Sequence, residues 1–112
     1  MEIKNLTKQT KFNSELADNI TSQSKGLSFS KEKRNMLFHF GTSRTWNFWM
    51  FGMSYDIWIS FIDDKKRVLE QVYAQKMTLN PKTWRVYRPK KPCRYVLETP
   101  KKLADIGDKL NF

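Results

Sequence analysis

The sequence holds a single cysteine, Cys93, and a single histidine, His39, among its 112 residues. One thiol excludes an internal disulfide and fits a reducing compartment. One cysteine and one histidine also fall short of the three or four clustered ligands of a zinc site, so neither metal nor cofactor is expected. Glycine is scarce: the four glycines are not clustered, and no phosphate-cradling loop, nucleophile elbow or kinase motif occurs. Acids are outnumbered, 11 against 21 lysines and arginines, which leaves a net charge of +10. No apolar run approaches the ~18 residues of a spanning helix. Met1–Lys8 lacks the apolar core of a signal peptide. The expectation is a soluble, cytoplasmic protein with no membrane span, folded as one domain over residues 1–112.

What the chain does have is aromatic side chains, and they are concentrated. Trp46–Asp63 contains three of the four tryptophans, with few charges, inside an otherwise basic sequence. Read as a strand, Trp46–Met53 puts Trp46, Phe48 and Met50 on one side and Trp49, Phe51 and Met53 on the other. Both sides are apolar, so both are expected to be covered. Asp56–Asp63 puts Ile57, Ile59 and Phe61 on one side, against Asp56, Trp58 and Ser60. Burying each such aromatic contributes roughly 1.5–3 kcal/mol, a strong demand for cover.

Most of the remaining pattern is strand-like, with weak helical periodicity. Strands are expected at Glu2–Thr7, Lys11–Ala17, Met36–Phe40, Arg67–Ala74, Trp84–Tyr87, Arg94–Glu98 and Asp108–Phe112. Asp63–Lys66 reads as the hairpin turn into Arg67–Ala74, where Val68, Val72 and Ala74 share one face. Two short helices are expected. One spans Asn19–Leu27; the other follows Thr99 as cap, with Pro100 in its first turn and Gly107 past its end. Pro81, Pro89 and Pro92 keep Gln75–Lys91 out of regular ladders. The fold class is mainly β: a compact antiparallel sandwich or barrel of eight to nine short strands with two short helices.

Three sets of motifs carry a family resemblance. They are Glu15-Leu-Ala-Asp18 with Lys25-Gly-Leu27; Met36-Leu-Phe-His-Phe40 with Phe48-Trp-Met50 and Phe61-Ile-Asp63; and Pro92-Cys-Arg-Tyr-Val-Leu-Glu98 with Gly107-Asp108. In this order the chain resembles the family known as domain of unknown function 192, from about Glu15 to its end. The resemblance implies a small β-rich fold with short helices and brings no established activity. Two departures stand out. Members often carry a Pro-x-Asp after Phe-Trp-Met, where this chain has Asp56 and Trp58. They also often show methionine and arginine after Gly-Leu, where this chain has Ser28-Phe-Ser30.

No catalytic residues are assigned. A Cys93–His39 nucleophile pair would need hydrogen-bond contact and a third orienting group, and small-apolar packing explains Cys93 more simply. Asp63 and Asp64 suit a turn; Glu98 and Asp108 suit the ends of the second helix. The basic–aromatic run Lys82–Arg94 is the better lead, with six cations, two aromatics and no acid. Phosphate backbones need cations in a row, and unstacked bases need flat faces. The expected binding set is Lys82, Arg85, Arg88, Lys90, Lys91 and Arg94 for phosphates, with Trp84 and Tyr87 for stacking. The expected partner is single-stranded nucleic acid or another polyanion; no protein partner can be named. The alternative is a small-ligand pocket for a sugar or carboxylate, or an enzyme cleft, lined by Trp46, Trp49, Asp56 and Trp58.

Overall fold

The computed structural model describes residues 1–18 and 32–112. It contains ten strands: β1 (Glu2–Asn5), β2 (Thr10–Asn13), β3 (Glu15–Ala17), β4 (Met36–Arg44), β5 (Phe48–Trp49), β6 (Ile57–Ile62), β7 (Val68–Ala74), β8 (Val86–Tyr87), β9 (Cys93–Thr99) and β10 (Leu110–Asn111). A central five-stranded sheet has the order β3-β4-β9-β6-β7. A three-stranded sheet, β10-β1-β2, and a two-stranded ribbon, β5-β8, accompany it. The result is sandwich-like and not a closed barrel, because β3 and β7 end the central sheet. Nor is it wholly antiparallel: β3 pairs parallel with β4. The expected strand Lys11–Ala17 is in fact two, parted at Ser14, with its halves in different sheets.

Alternation along the central strands produces two apolar faces. One buries Ala17, Met36, Phe38, Ile57, Ile59, Phe61, Ala74 and Val96, and is covered by Met50, Met53, Tyr55 and Tyr87 from irregular segments and the ribbon. The other buries Leu37, Ile62, Val68, Tyr95 and Leu97 beneath Ile3 and Leu110 of the small sheet. The hairpin turn at Asp63 forms as expected. Its carboxylate accepts the Lys65 and Arg67 amides, both at 2.9 Å. The shared face expected for Val68, Val72 and Ala74 is broken by a bulge. Phe61 pairs with Glu70 but Ile62 with Val68, so Leu69 is the extra residue. Val68 is thereby turned to the face opposite Val72 and Ala74.

No α-helix occurs among the described residues, and none there is long and apolar enough to cross a membrane. The expected helix Asn19–Leu27 lies outside the described residues. The second expected helix is absent for a visible reason. Thr99 stays in β9, opposite Trp58, and the carbonyls a helix would use internally are taken by distant side chains. Gln71 Nε2 donates to the Ala104 carbonyl at 2.7 Å, and Asn5 Nδ2 to that of Leu103 at 3.3 Å. Gly107, at φ 93°, closes a turn instead of a helix.

Candidate nucleic-acid interface

The expected strand Trp46–Met53 is reduced to two residues, Phe48–Trp49, because Gly52 (φ 77°) turns the chain back soon afterwards. The Met53 amide closes that turn on the Met50 carbonyl at 3.0 Å. Phe48 pairs with Tyr87 and Trp49 with Val86. Pairing at this register sends Phe48 and Tyr87 inward together and Trp49 and Val86 outward together. Phe48 meets the rings of Phe38 and Phe61 edge-on at 5.2 and 6.3 Å, and Tyr87 is buried. On the outer side Trp49 is 60% exposed and Phe51 51%, their rings stacked at 5.3 Å. The expectation that both sides of this segment are covered is therefore corrected: the inner side is core and the outer side is open.

The cations of the basic run lie in the segments just before and after strand β8 of the ribbon. Arg85 and Arg88 flank the ribbon strand β8 and are exposed. The Arg88 Nε donates to Asn47 Oδ1 at 2.6 Å, which ties it to the strand carrying Trp49. Arg85 lies 5.7 Å from the Tyr87 ring. Trp84 is 57% exposed and anchored by its indole N–H to the Thr78 carbonyl at 2.7 Å. Lys82 sits in a single 3-10 turn, Pro81–Thr83, capped by Asn80. Lys90 and Lys91 are exposed, and their backbone amides both point at one oxygen of Glu70, at 2.6 and 3.3 Å. Arg94 is half-buried. Tyr87 is thus wrongly cast as a stacking residue: its ring is inside the core. The exposed rings here are Trp49, Phe51 and Trp84.

The residues of the alternative pocket are dispersed. Trp46 stacks on Phe40 at 4.2 Å against the first apolar face. Trp58, on the opposite face from its neighbours Ile57 and Ile59, meets Tyr73 at 5.0 Å with the Lys102 ammonium 5.0 Å from its ring. Trp49 points outward. Asp56 borders a cleft of about 340 Å³ at the end of the central sheet, together with Lys33, Ser54, Tyr55, Tyr73 and Lys76. His39 and Cys93 are likewise separated. Cys93 is in the first apolar cluster, and burial pushes its thiol up to about 11. His39 packs against Tyr95 of the second, at 4.9 Å. No metal-ligand cluster occurs among the described residues.

The family model described as DUF192, an uncharacterized ACR, matches residues 2–112. The chain belongs to this family. No curated protein matches the sequence. Two crystal structures share the DUF192 fold seen here. One is a protein of unknown function from Novosphingobium aromaticivorans, with TM-score 0.81 and 25% identity, covering 99% of this chain and 82% of that one. The other is a candidate transcription regulator from Sinorhizobium meliloti, with TM-score 0.81 and 19% identity, covering 98% and 91%.

Within this DUF192 chain one further group is unusual. Glu98 occupies the middle strand β9, between Met36 and Ile59 of the neighbouring strands. It is 6% exposed, and burial pushes its carboxyl up to about 8. It makes no ion pair among the described residues. The signal in the sequence is an acid within the run Tyr-Val-Leu-Glu-Thr, where local pattern equally suits the start of a helix.

Proposed function

We propose that this protein binds single-stranded nucleic acid, and polyanions more generally, on the outer side of the β5-β8 ribbon. The observation that carries this reading is the stacked, half-exposed pair Trp49–Phe51 on a ribbon whose other strand, β8, is flanked by the exposed Arg85 and Arg88. Every base has a flat face, so such a pair accepts any sequence, at about 1–3 kcal/mol per stacked base. Lys82, Lys90 and Lys91 extend the positive ground along which a phosphate chain can run. The net charge of +10 adds long-range attraction for the same partner. Tightly packed aromatic side chains do not explain the pair, since a core has no use for rings on its solvent side.

The test is fluorescence anisotropy with labelled mixed-sequence oligonucleotides across a salt series. Binding should weaken with a log–log slope of roughly −0.7 per phosphate contact. Trp49→Ala should lower affinity by about five- to a hundredfold, the range of one lost stacked base. Binding that is absent at low salt, or indifferent to both salt and Trp49, overturns the proposal.

A further inference from the structure

The cleft at the end of the central sheet is built differently from the ribbon. Its one carboxylate, Asp56, is fully engaged by neutral donors: Oδ1 accepts the Lys76 amide at 2.8 Å, and Oδ2 accepts the Tyr73 hydroxyl at 3.2 Å. Asp56 therefore serves as a brace that fixes Tyr73 and the backbone of Lys76. Lys33 and Lys76 border the same concavity, and neither forms an ion pair among the described residues. In a chain with ten excess cations an unpaired lysine means little by itself. Two of them beside one cleft, with its acid already committed, is a different matter. Each raises the positive potential at the other, and an anion between them relieves both.

The walls add a second property. Tyr73 supplies exposed aromatic surface, and Tyr55 borders the cleft from the core. The Tyr55 hydroxyl is fixed by donating to the Glu32 carbonyl at 3.1 Å, while the Arg34 amide points to it at 3.4 Å. At about 340 Å³ the cleft is at the small end of the range for metabolite sites, roughly 300–1,000 Å³. A space of this size suits a compact molecule.

We infer that this cleft binds a small oxyanion, a phosphate monoester or a carboxylate, between Lys33 and Lys76, with the body of the ligand resting on Tyr73. The site is separate from the ribbon and independent of nucleic-acid binding. Calorimetry and amide NMR on the full chain test it with ribose 5-phosphate, gluconate and neutral ribose. Binding of a charged probe but not of ribose, with shifts at the Lys76 amide, is the expected result. Ribose 5-phosphate against gluconate decides which oxyanion is preferred. Lys33→Gln and Lys76→Gln are exposed substitutions and should each weaken binding about five- to tenfold, the loss of one charge-assisted hydrogen bond. Asp56→Asn keeps an acceptor for the Lys76 amide while removing the negative charge, and should tighten binding. Trp49→Ala should leave it unchanged. Equal binding of ribose, no binding of any probe, or affinity indifferent to both lysine substitutions overturns the inference. If Asp56→Asn lowers thermal stability sharply, the two lysine variants still decide.

Discussion

Glu98 and Asp108 are both acids with about a twentieth of their surface exposed, and they face opposite sides of the same sheet system. Their surroundings could hardly differ more. Asp108 lies under the small sheet, where one carboxylate oxygen accepts Asn5 Nδ2 and the Asp105 amide, both at 2.9 Å, with Lys8 Nζ at 3.3 Å. Burial pushes its carboxyl up, but these donors outweigh burial and hold it below the usual range. Glu98 lies on the aromatic side, and burial alone acts on it. The face closed by regular strands supplies donors at fixed places. The face closed by turns and a two-residue ribbon supplies rings, which pack well but satisfy no carboxylate. Stability is thus settled on one side of the sheet and left in tension on the other.

The pH response should expose this contrast most strongly. Burial lets Glu98 hold its proton to about pH 8 when folded, against an ordinary value of 4.5. Between those values the folded state binds a proton that the unfolded chain has released. Stability therefore falls as pH rises through that window, by several kcal/mol in all, and levels off above it. Glu98→Gln should remove this slope, so that the variant gains on the parent from about pH 4.5 upward. Urea unfolding at several pH values measures it, and parallel curves for the two proteins would show that Glu98 is ionised at little cost. Asp105 has the reverse sense. Lys102 and Lys8 pull it down to about 2 from 3.8, so its contribution is lost as pH falls between those values. Together the two groups place their joint optimum near pH 4, unusually low for so basic a chain.

A smaller but still large effect is expected at Asp108. Asp108→Ala leaves Asn5 Nδ2 with only the longer bond to the Leu103 carbonyl, strands the Asp105 N–H and leaves Lys8 with only its Asp105 partner. The cost should be about 3 kcal/mol, within the range for a broken buried polar network. Asp108→Asn, which retains an acceptor oxygen, should lose less. If the alanine variant unfolds at the parent's midpoint, the polar lock is ornamental.

Neighbours within the aromatic block sharpen the same contrast at single-residue scale. Phe48→Ala removes a ring held against Phe38 and Phe61 and should cost about 2–4 kcal/mol. Trp49→Ala, one position later, removes a ring that is mostly in solvent and should change stability by less than about 1 kcal/mol. Equal losses in thermal melts would mean that the outer side of the ribbon is covered after all.

The limits of the sequence follow from where information sits. The central strands were legible because their alternation is strong: Ile57, Ile59 and Phe61 against Trp58 and Ser60. The family motifs reinforced them, and most of the strand assignments fall where the patterns put them. The outward turn of Trp49 was not legible, because an apolar residue at an alternating position looks the same whether or not something covers it. The bulge at Leu69 has no local signature either; it reflects a mismatch between β6 and β7 that exists only once they pair. The failed helix after Thr99 is the most instructive miss. Cap, proline and glycine all favour it locally, yet Gln71 and Asn5, some 30 to 100 residues away, hold two of the carbonyls concerned. Tertiary donors overrode propensity. At the candidate site the cations were readable from composition, while the choice between Tyr87 and Trp49 as the exposed ring depended on pairing register.

The smallest expected effect separates geometry from charge. Glu70, on the sheet's edge strand, is the acid that grips the backbone of the basic run, through the Lys90 and Lys91 amides. Simple electrostatics says that Glu70→Gln, which deletes a negative charge near a polyanion surface, should tighten nucleic-acid binding. If the grip matters more, the substitution should loosen binding by about two- to threefold, because a neutral amide oxygen accepts those two N–H groups more weakly than a carboxylate does. The salt dependence distinguishes the routes further. Loss of a positioned cation makes the log–log slope shallower, by roughly 0.7 per contact, whereas loss of a repulsive acid leaves the phosphate contacts and hence the slope unchanged. Tighter binding at unchanged slope would reduce Glu70 to a repulsive bystander. Weaker binding with a shallower slope would make the edge of the settled sheet the device that aims the open side's cations.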